Sequence, residues 1–129
     1  MRVAIVGLGG SYSDYVAARI RSEQYDQVWG INCIGAIIHV DKTIMMDPVS
    51  RFLDSDNAGS QTNIAREFLK KNTKPIITCE LDKRVKHLEE YPLEKVIKEL
   101  NLCYFNNTVA YAIAYAIYCK ATEICLYGI

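Results

Sequence analysis

The sequence predicts an α/β three-layer sandwich built on a mostly parallel sheet of about six strands. Three observations predict it. Short apolar runs alternate with helix-like stretches along the whole chain, the pattern of strands joined by crossover helices. The first run, Val3-Ala4-Ile5-Val6, is continuously apolar rather than alternating, as a strand covered on both faces is. That run stops at Gly7-Leu8-Gly9-Gly10, and Ser11, Ser13 and helix-like sequence follow. A glycine turn leaving the first strand is the usual ligand position of an open α/β sheet. Its glycines let a ligand approach without a Cβ in the way, and the helix beyond it offers free N–H groups to a phosphate or carboxylate. The turn matches neither the dinucleotide fingerprint, because Tyr12 stands at its last glycine, nor a P-loop, which needs Lys-Ser/Thr. A plain strand-to-helix turn is the competing reading.

A chain of 129 residues is long enough for one domain with a real core, here residues 1–129. Half the residues are hydrophobic and 23% are charged, which is ordinary for a globular protein. Net charge is zero, which argues against an electrostatic nucleic-acid binder. The cluster Lys83 to Lys86 is followed by Glu89 and Glu90 and reads as a solvated face. The 5 cysteines are odd in number and show no Cys-x-x-Cys spacing, so scattered thiols in a reducing cytoplasm are expected and a zinc site is not. The apolar N-terminal run is too short for a signal peptide. The most apolar stretch, 109–119, is too short to span a bilayer.

Each element then follows in order. Ser13-Asp14 can cap a helix to about Glu23, with Val16, Ala17 and Ile20 as its apolar stripe. Val28-Trp29-Gly30-Ile31 is a second strand ending at Asn32, whose side chain either hydrogen-bonds a base or ribose or caps a short helix over 34–38. Lys42 to Met46 is a third strand ending at Asp47-Pro48. Asp47 is either a metal or ribose ligand or a helix N-cap with Pro48 at the first helical position. Residues 51–61 carry Asp54-Ser55-Asp56-Asn57 and read as a mobile polar loop with the character of a lid; the spacing fails the calcium-loop pattern at Ala58 and Ala65. A helix over 62–71 turns Ile64, Phe68 and Leu69 inward. Pro75 opens a fourth strand to Cys79. The polar stretch 80–91 reads as helical or irregular. Pro92 starts a helix over 93–100, and 103–105 reads as a short strand. Asn107 or Thr108 caps the most apolar helix, to about Cys119. Tyr111, Tyr115 and Tyr118 share one face of it, either buried under the sheet or exposed as a subunit contact, and its N-terminus is a second candidate anion site. Residues 123–127 form the last strand. The chain stops two residues later, which reads as a domain cut short at its C-terminus. Gly9, Asn32, Asp47 and Asn107 are thereby expected along one rim, the carboxyl ends of the strands.

The segments Gly7-Leu8-Gly9-Gly10-Ser11, Trp29-Gly30-Ile31-Asn32, Asp47-Pro48, Asn107-Thr108-Val109-Ala110-Tyr111 and Ile124-Cys125-Leu126-Tyr127-Gly128-Ile129 occur in that order. With them the chain resembles the Rossmann-like family of archaeal hydroxymethyldihydropterin pyrophosphokinase and motility accessory factors. It is also similar to the bacterial sialyltransferases that use CMP-sialic acid, and short bacterial and phage proteins share the pattern. The resemblance implies a Rossmann-like fold and nucleotide contacts from Gly7, Gly9, Gly10, Ser11, Asn32 and Thr108. Three functions are therefore expected in turn. The first is a nucleotide- or nucleotide-sugar-dependent transferase, pyrophosphokinase-like or glycosyltransferase-like, with Asp47 and Mg²⁺ offsetting phosphate charge; no residue stands out as its catalytic base. The second is a non-catalytic nucleotide-binding or sensing protein. The third is a structural domain that forms homo-oligomers through the tyrosine face.

Overall fold

The structure, a computed structural model, describes residues 1–129. Strands β1 (Arg2–Val6), β2 (Gln27–Ile31), β3 (Lys42–Met45), β4 (Ile76–Thr78), β5 (Leu88–Glu90) and β6 (Glu123–Tyr127) form one sheet in the order β5-β4-β3-β2-β1-β6. Every pairing in it is parallel. The helices are α1 (Tyr12–Ile20), α2 (Ser50–Asp54), α3 (Gln61–Lys71), α4 (Leu93–Leu100) and α5 (Thr108–Tyr118), with a 3-10 turn at Asn32–Ala36. This is the α/β, Rossmann-like sandwich expected from the alternation of runs.

Alternate residues on each strand serve opposite faces. Val3, Ile5, Trp29, Ile31, Ile44 and Ile77 pack against Val96 of α4 and Ala112, Ala114 and Ala116 of α5. On the other face Ala4, Val6 and Val28 meet Tyr15, Ile34 and Val40. There Met45 and Ile76 meet Phe52, Ala65, Phe68 and Leu69. The three alanines let α5 lie close to the sheet. Its tyrosines turn onto aromatic partners there: Tyr115 stands 5.3 Å from Trp29, and Tyr111 stands 5.3 Å from Tyr91. The exposed large residue of α5 is Ile117.

The chain steps from β1 to β5 in one direction with α1, the 3-10 turn, α2 and α3 on one face. It then returns past β1 to β6 through α4 and α5 on the other. The direction reverses between β1 and β6, so the carboxyl ends of those strands form the crevice where open α/β sheets bind ligands.

Several expectations about elements are corrected. Val16 and Ile20, read as the apolar stripe of α1, are exposed and Tyr15 and Ala18 are buried instead, and Ile64 of α3, expected inward, is exposed. Residues 103–105 form no strand; both places beside β1 are taken by β2 and β6, and Phe105 packs instead on Tyr111 at 4.5 Å. The fifth strand lies in the polar stretch, at Leu88–Glu90. As an edge strand it exposes Glu89 and Glu90, so it lacks the apolar signature of the central strands. Residues 51–61 are not wholly a loop, because Phe52 is buried and anchors α2.

Arg84 ties the segment between β4 and β5 to α2. Its guanidinium donates to both oxygens of Asp54 at 2.6 and 2.9 Å and to Asp82 at 2.7 Å. These hydrogen bonds hold the Asp82 carboxyl at about 2 and that of Asp54 below its ordinary value. Folding lowers both values, so the stability they contribute is complete above the ordinary 3.8 and is lost as pH falls through about 2. The Tm advantage of the native chain over Arg84→Ala should therefore shrink between about pH 5 and about pH 2. An advantage constant over that range in a thermal scan would show that pairing with these two carboxylates is not its source.

Thr43, Thr62 and Thr78 are buried with hydroxyls that have no partner. Thr43 lies beside Ile76 in the sheet register. Replacing it with valine removes an unpaired hydroxyl and keeps the β-branched shape, so Thr43→Val should raise stability by about 1 kcal/mol in chemical denaturation.

No helix is long and apolar enough to cross a membrane.

Candidate functional site

The glycine turn is shaped first by the far end of the chain. The Gly7 and Gly9 amides donate to the carbonyls of Tyr127 and Gly128, each at 2.8 Å. The Ser11 hydroxyl accepts from the Gly128 amide at 3.2 Å. A Cβ on Gly7 would lie 2.5 Å from the Gly128 carbonyl oxygen, and one on Gly9 would lie 2.8 Å from it. The close approach that glycine permits at these two positions is thus to the end of β6. Gly10 borders open space. The amides of Leu8, Gly10 and Ser11 donate to no backbone carbonyl, and they stand just before the first turn of α1. Ser11 occupies the N-cap position of that helix without a side-chain capping bond, because its hydroxyl serves Gly128.

Asn32 follows β2 directly and begins the 3-10 turn with φ of 53°. That left-handed backbone is costly for a residue with a Cβ, and Asn is among the few that adopt it. Its Oδ1 is buried and has no hydrogen-bond partner. An unpaired buried carbonyl costs free energy, so it marks a place where a donor belongs. Asn32 lines a cleft of about 270 Å³ together with Asp47, Arg51, Phe52, Asn57 and Gln61.

Asp47 follows β3, so it reaches the same cleft from the neighbouring strand end. Its Oδ1 accepts from Arg51 Nη1 at 2.8 Å. Arg51 Nε donates to Asn57 Oδ1 at 3.0 Å. The helix-cap role weighed for Asp47 is not taken up: Val49 occupies the N-cap position of α2, without a side-chain bond. No group of three His, Cys, Asp or Glu side chains gathers where Asp47 could share a metal ion. Cys33 also lines the cleft, and burial pushes its thiol up to about 11, which keeps it protonated at neutral pH.

Asn107 and Thr108 start α5, which lies on the other face of the sheet. Asn107 is the N-cap: its Oδ1 accepts from the Ala110 amide at 2.8 Å. The C-terminus of α5 leads into the start of β6, so its N-terminus stands at the carboxyl side of the sheet. Tyr91, just past β5, confirms that placement by donating its hydroxyl to the Tyr111 carbonyl at 2.9 Å.

All the positions singled out in the sequence therefore lie toward one edge of the sheet, in three groups. Asn32 and Asp47 share a cleft, the glycine turn stands beside them at the end of the adjacent strand β1, and Asn107-Thr108 lies across the sheet. Arg51, Asn57 and Gln61 join the first group and were hidden in the sequence inside the polar stretch read as a loop. The one signal that could have found Arg51 is its i, i+4 spacing from Asp47.

Chemically the cleft offers donors from Arg51 and the side-chain amides, and an acceptor on Asn32 that needs a donor. Its one carboxylate is paired with Arg51, and no histidine lines it. The arrangement suits binding of a neutral or anionic polar group bearing hydroxyl or N–H donors. Comparison with known protein families, with characterised proteins and with solved structures gives no match for this chain.

Proposed function

We propose that the protein binds a nucleotide or nucleotide-sugar along the carboxyl edge of its sheet. Phosphate oxygens would sit over the free amides of Leu8, Gly10 and Ser11, with the first turn of α1 behind them. The ribose or base would reach Asn32. The observation that carries the reading is the Asn32 carboxamide, strained in its backbone and buried without a partner at a strand end. On this reading Asp47 would meet Mg²⁺ on the phosphates only by exchanging its Arg51 partner. A transferase, pyrophosphokinase-like or glycosyltransferase-like, is the reaction class the resemblance supports, and most of its catalysis would be positioning.

Thermal shifts with CMP, CTP, ATP and GTP, with and without Mg²⁺, test binding. A ligand at 100 times its Kd adds about 2.7 kcal/mol of stability. No shift with any of the four at millimolar concentration would remove the proposal. Asn32→Gly separates the two roles of the residue. Glycine relieves the left-handed strain, so the unliganded variant should be about 1 kcal/mol more stable, while the ligand-induced shift should disappear. A ligand shift that survives this substitution intact would place the ligand elsewhere.

The Asp47–Arg51 pair favours a second reading, binding without turnover, because it occupies the one carboxylate lining the cleft. It expects a bound nucleotide to be recovered chemically unchanged after hours of incubation.

A further inference from the structure

A cavity of about 670 Å³ lies at the opposite edge of the sheet from Asn32. It opens between α3 and the connections that lead into β3 and β4, at the amino ends of those strands. Its floor is apolar. Val40 and Phe68 are 5% and 6% exposed, Ile38 lies beside them, and Ile64 stands at the rim 55% exposed. Ile64 thus extends the apolar floor out to the surface. One end of the cavity is cationic. Lys70 and Lys71 share a single carboxylate, Glu67, at 3.6 and 3.5 Å. Of these two lysines only Lys71 lines the cavity; Lys74, which lines it too, has no carboxylate partner. Among the lining side chains two ammonium groups, Lys71 and Lys74, stand against one carboxylate, Glu67, so the lining carries net positive charge.

We propose that this cavity is a binding site for a small amphipathic monocarboxylate, an aliphatic or aromatic body ending in one anionic head. The body would lie on Ile38, Val40, Ile64 and Phe68, and the head would meet Lys71 and Lys74. The volume falls within the usual range of small-molecule sites, about 300–1,000 Å³. The site is separate from the carboxyl-edge cleft, so it stands whether or not a nucleotide binds there.

Isothermal titration with laurate and with dodecanol tests it on the whole chain. These probes share the alkyl body and differ in the charge of the head. Laurate should bind at least roughly tenfold more tightly than dodecanol, and Lys71→Glu/Lys74→Glu should abolish that difference. Ile64→Glu changes an exposed residue, so folding should survive, and it should weaken laurate by a similar factor. Circular dichroism confirms that each variant is folded. Failure of both probes to bind overturns the site. Equal affinity for the two overturns the anionic head, and laurate binding unchanged in Ile64→Glu overturns the location.

Discussion

Trp29→Ala should cost about 4 kcal/mol, the largest loss expected from any single truncation in this chain. Trp29 is completely buried on β2, in the middle of the cluster that joins the sheet to α4 and α5. Its ring lies 5.3 Å from that of Tyr115, and the Lys42 ammonium sits 5.0 Å over it. Its indole N–H donates to Gln27 Oε1 at 2.6 Å, so truncation leaves that acceptor unpaired as well as opening a cavity. Against the 5–15 kcal/mol by which domains of this size are usually stable, the loss is a quarter or more of the total. Urea denaturation should be followed by far-UV circular dichroism, since the variant carries no tryptophan. Trp29→Phe keeps most of the burial and should lose about half as much. A loss below about 1 kcal/mol for the alanine variant would mean that the ring is not part of the core.

Gly30→Val should cost about 2 kcal/mol and weaken the carboxyl-edge cleft as well. Two effects oppose each other. Valine is the better strand residue, which favours the variant by up to about 1 kcal/mol. A Cβ at this position, however, would lie 2.8 Å from Ile34 Cγ2 and 3.0 Å from Val40 Cγ1. Both neighbours are β-branched and buried, so their methyls cannot swing away. Overpacking of this kind costs about 1–3 kcal/mol, and valine adds two methyls beyond the Cβ, so the clash prevails. Ile34 belongs to the 3-10 turn that begins with Asn32. Pushing Ile34 outward moves the carboxamide, and any nucleotide-induced thermal shift should fall with stability. A variant more stable than the native chain would show that this contact is loose.

The layers of the fold were legible because they depend on short-range pattern. The continuous run Val3-Ala4-Ile5-Val6 predicts a strand buried on two faces, and all four residues are fully buried. The cap was legible to within one residue, at Asn107 or Thr108, and Asn107 takes it because the donating Ala110 amide lies only three residues on. The fifth strand was not. Leu88-Glu89-Glu90 is a strand because β4 offers it an open edge, and nothing in three residues announces a partner. Residues 103–105 failed in the opposite sense, having strand-like composition while Phe105 packs on Tyr111 and the segment joins no strand.

The site divides in the same way. Glycines after the first strand, an Asn after the second and an Asp after the third placed those residues at one rim, once the strands were taken as parallel. Local sequence determined that much, since periodicity and turn residues act over a few positions. Only the tertiary structure decided what each one faces. Gly7 and Gly9 meet Gly128 at the other end of the chain, Asp47 is held by Arg51, and the Asn32 oxygen is left buried without a donor. Contacts such as these arise when distant segments are packed together, and a run of neighbouring residues does not encode them.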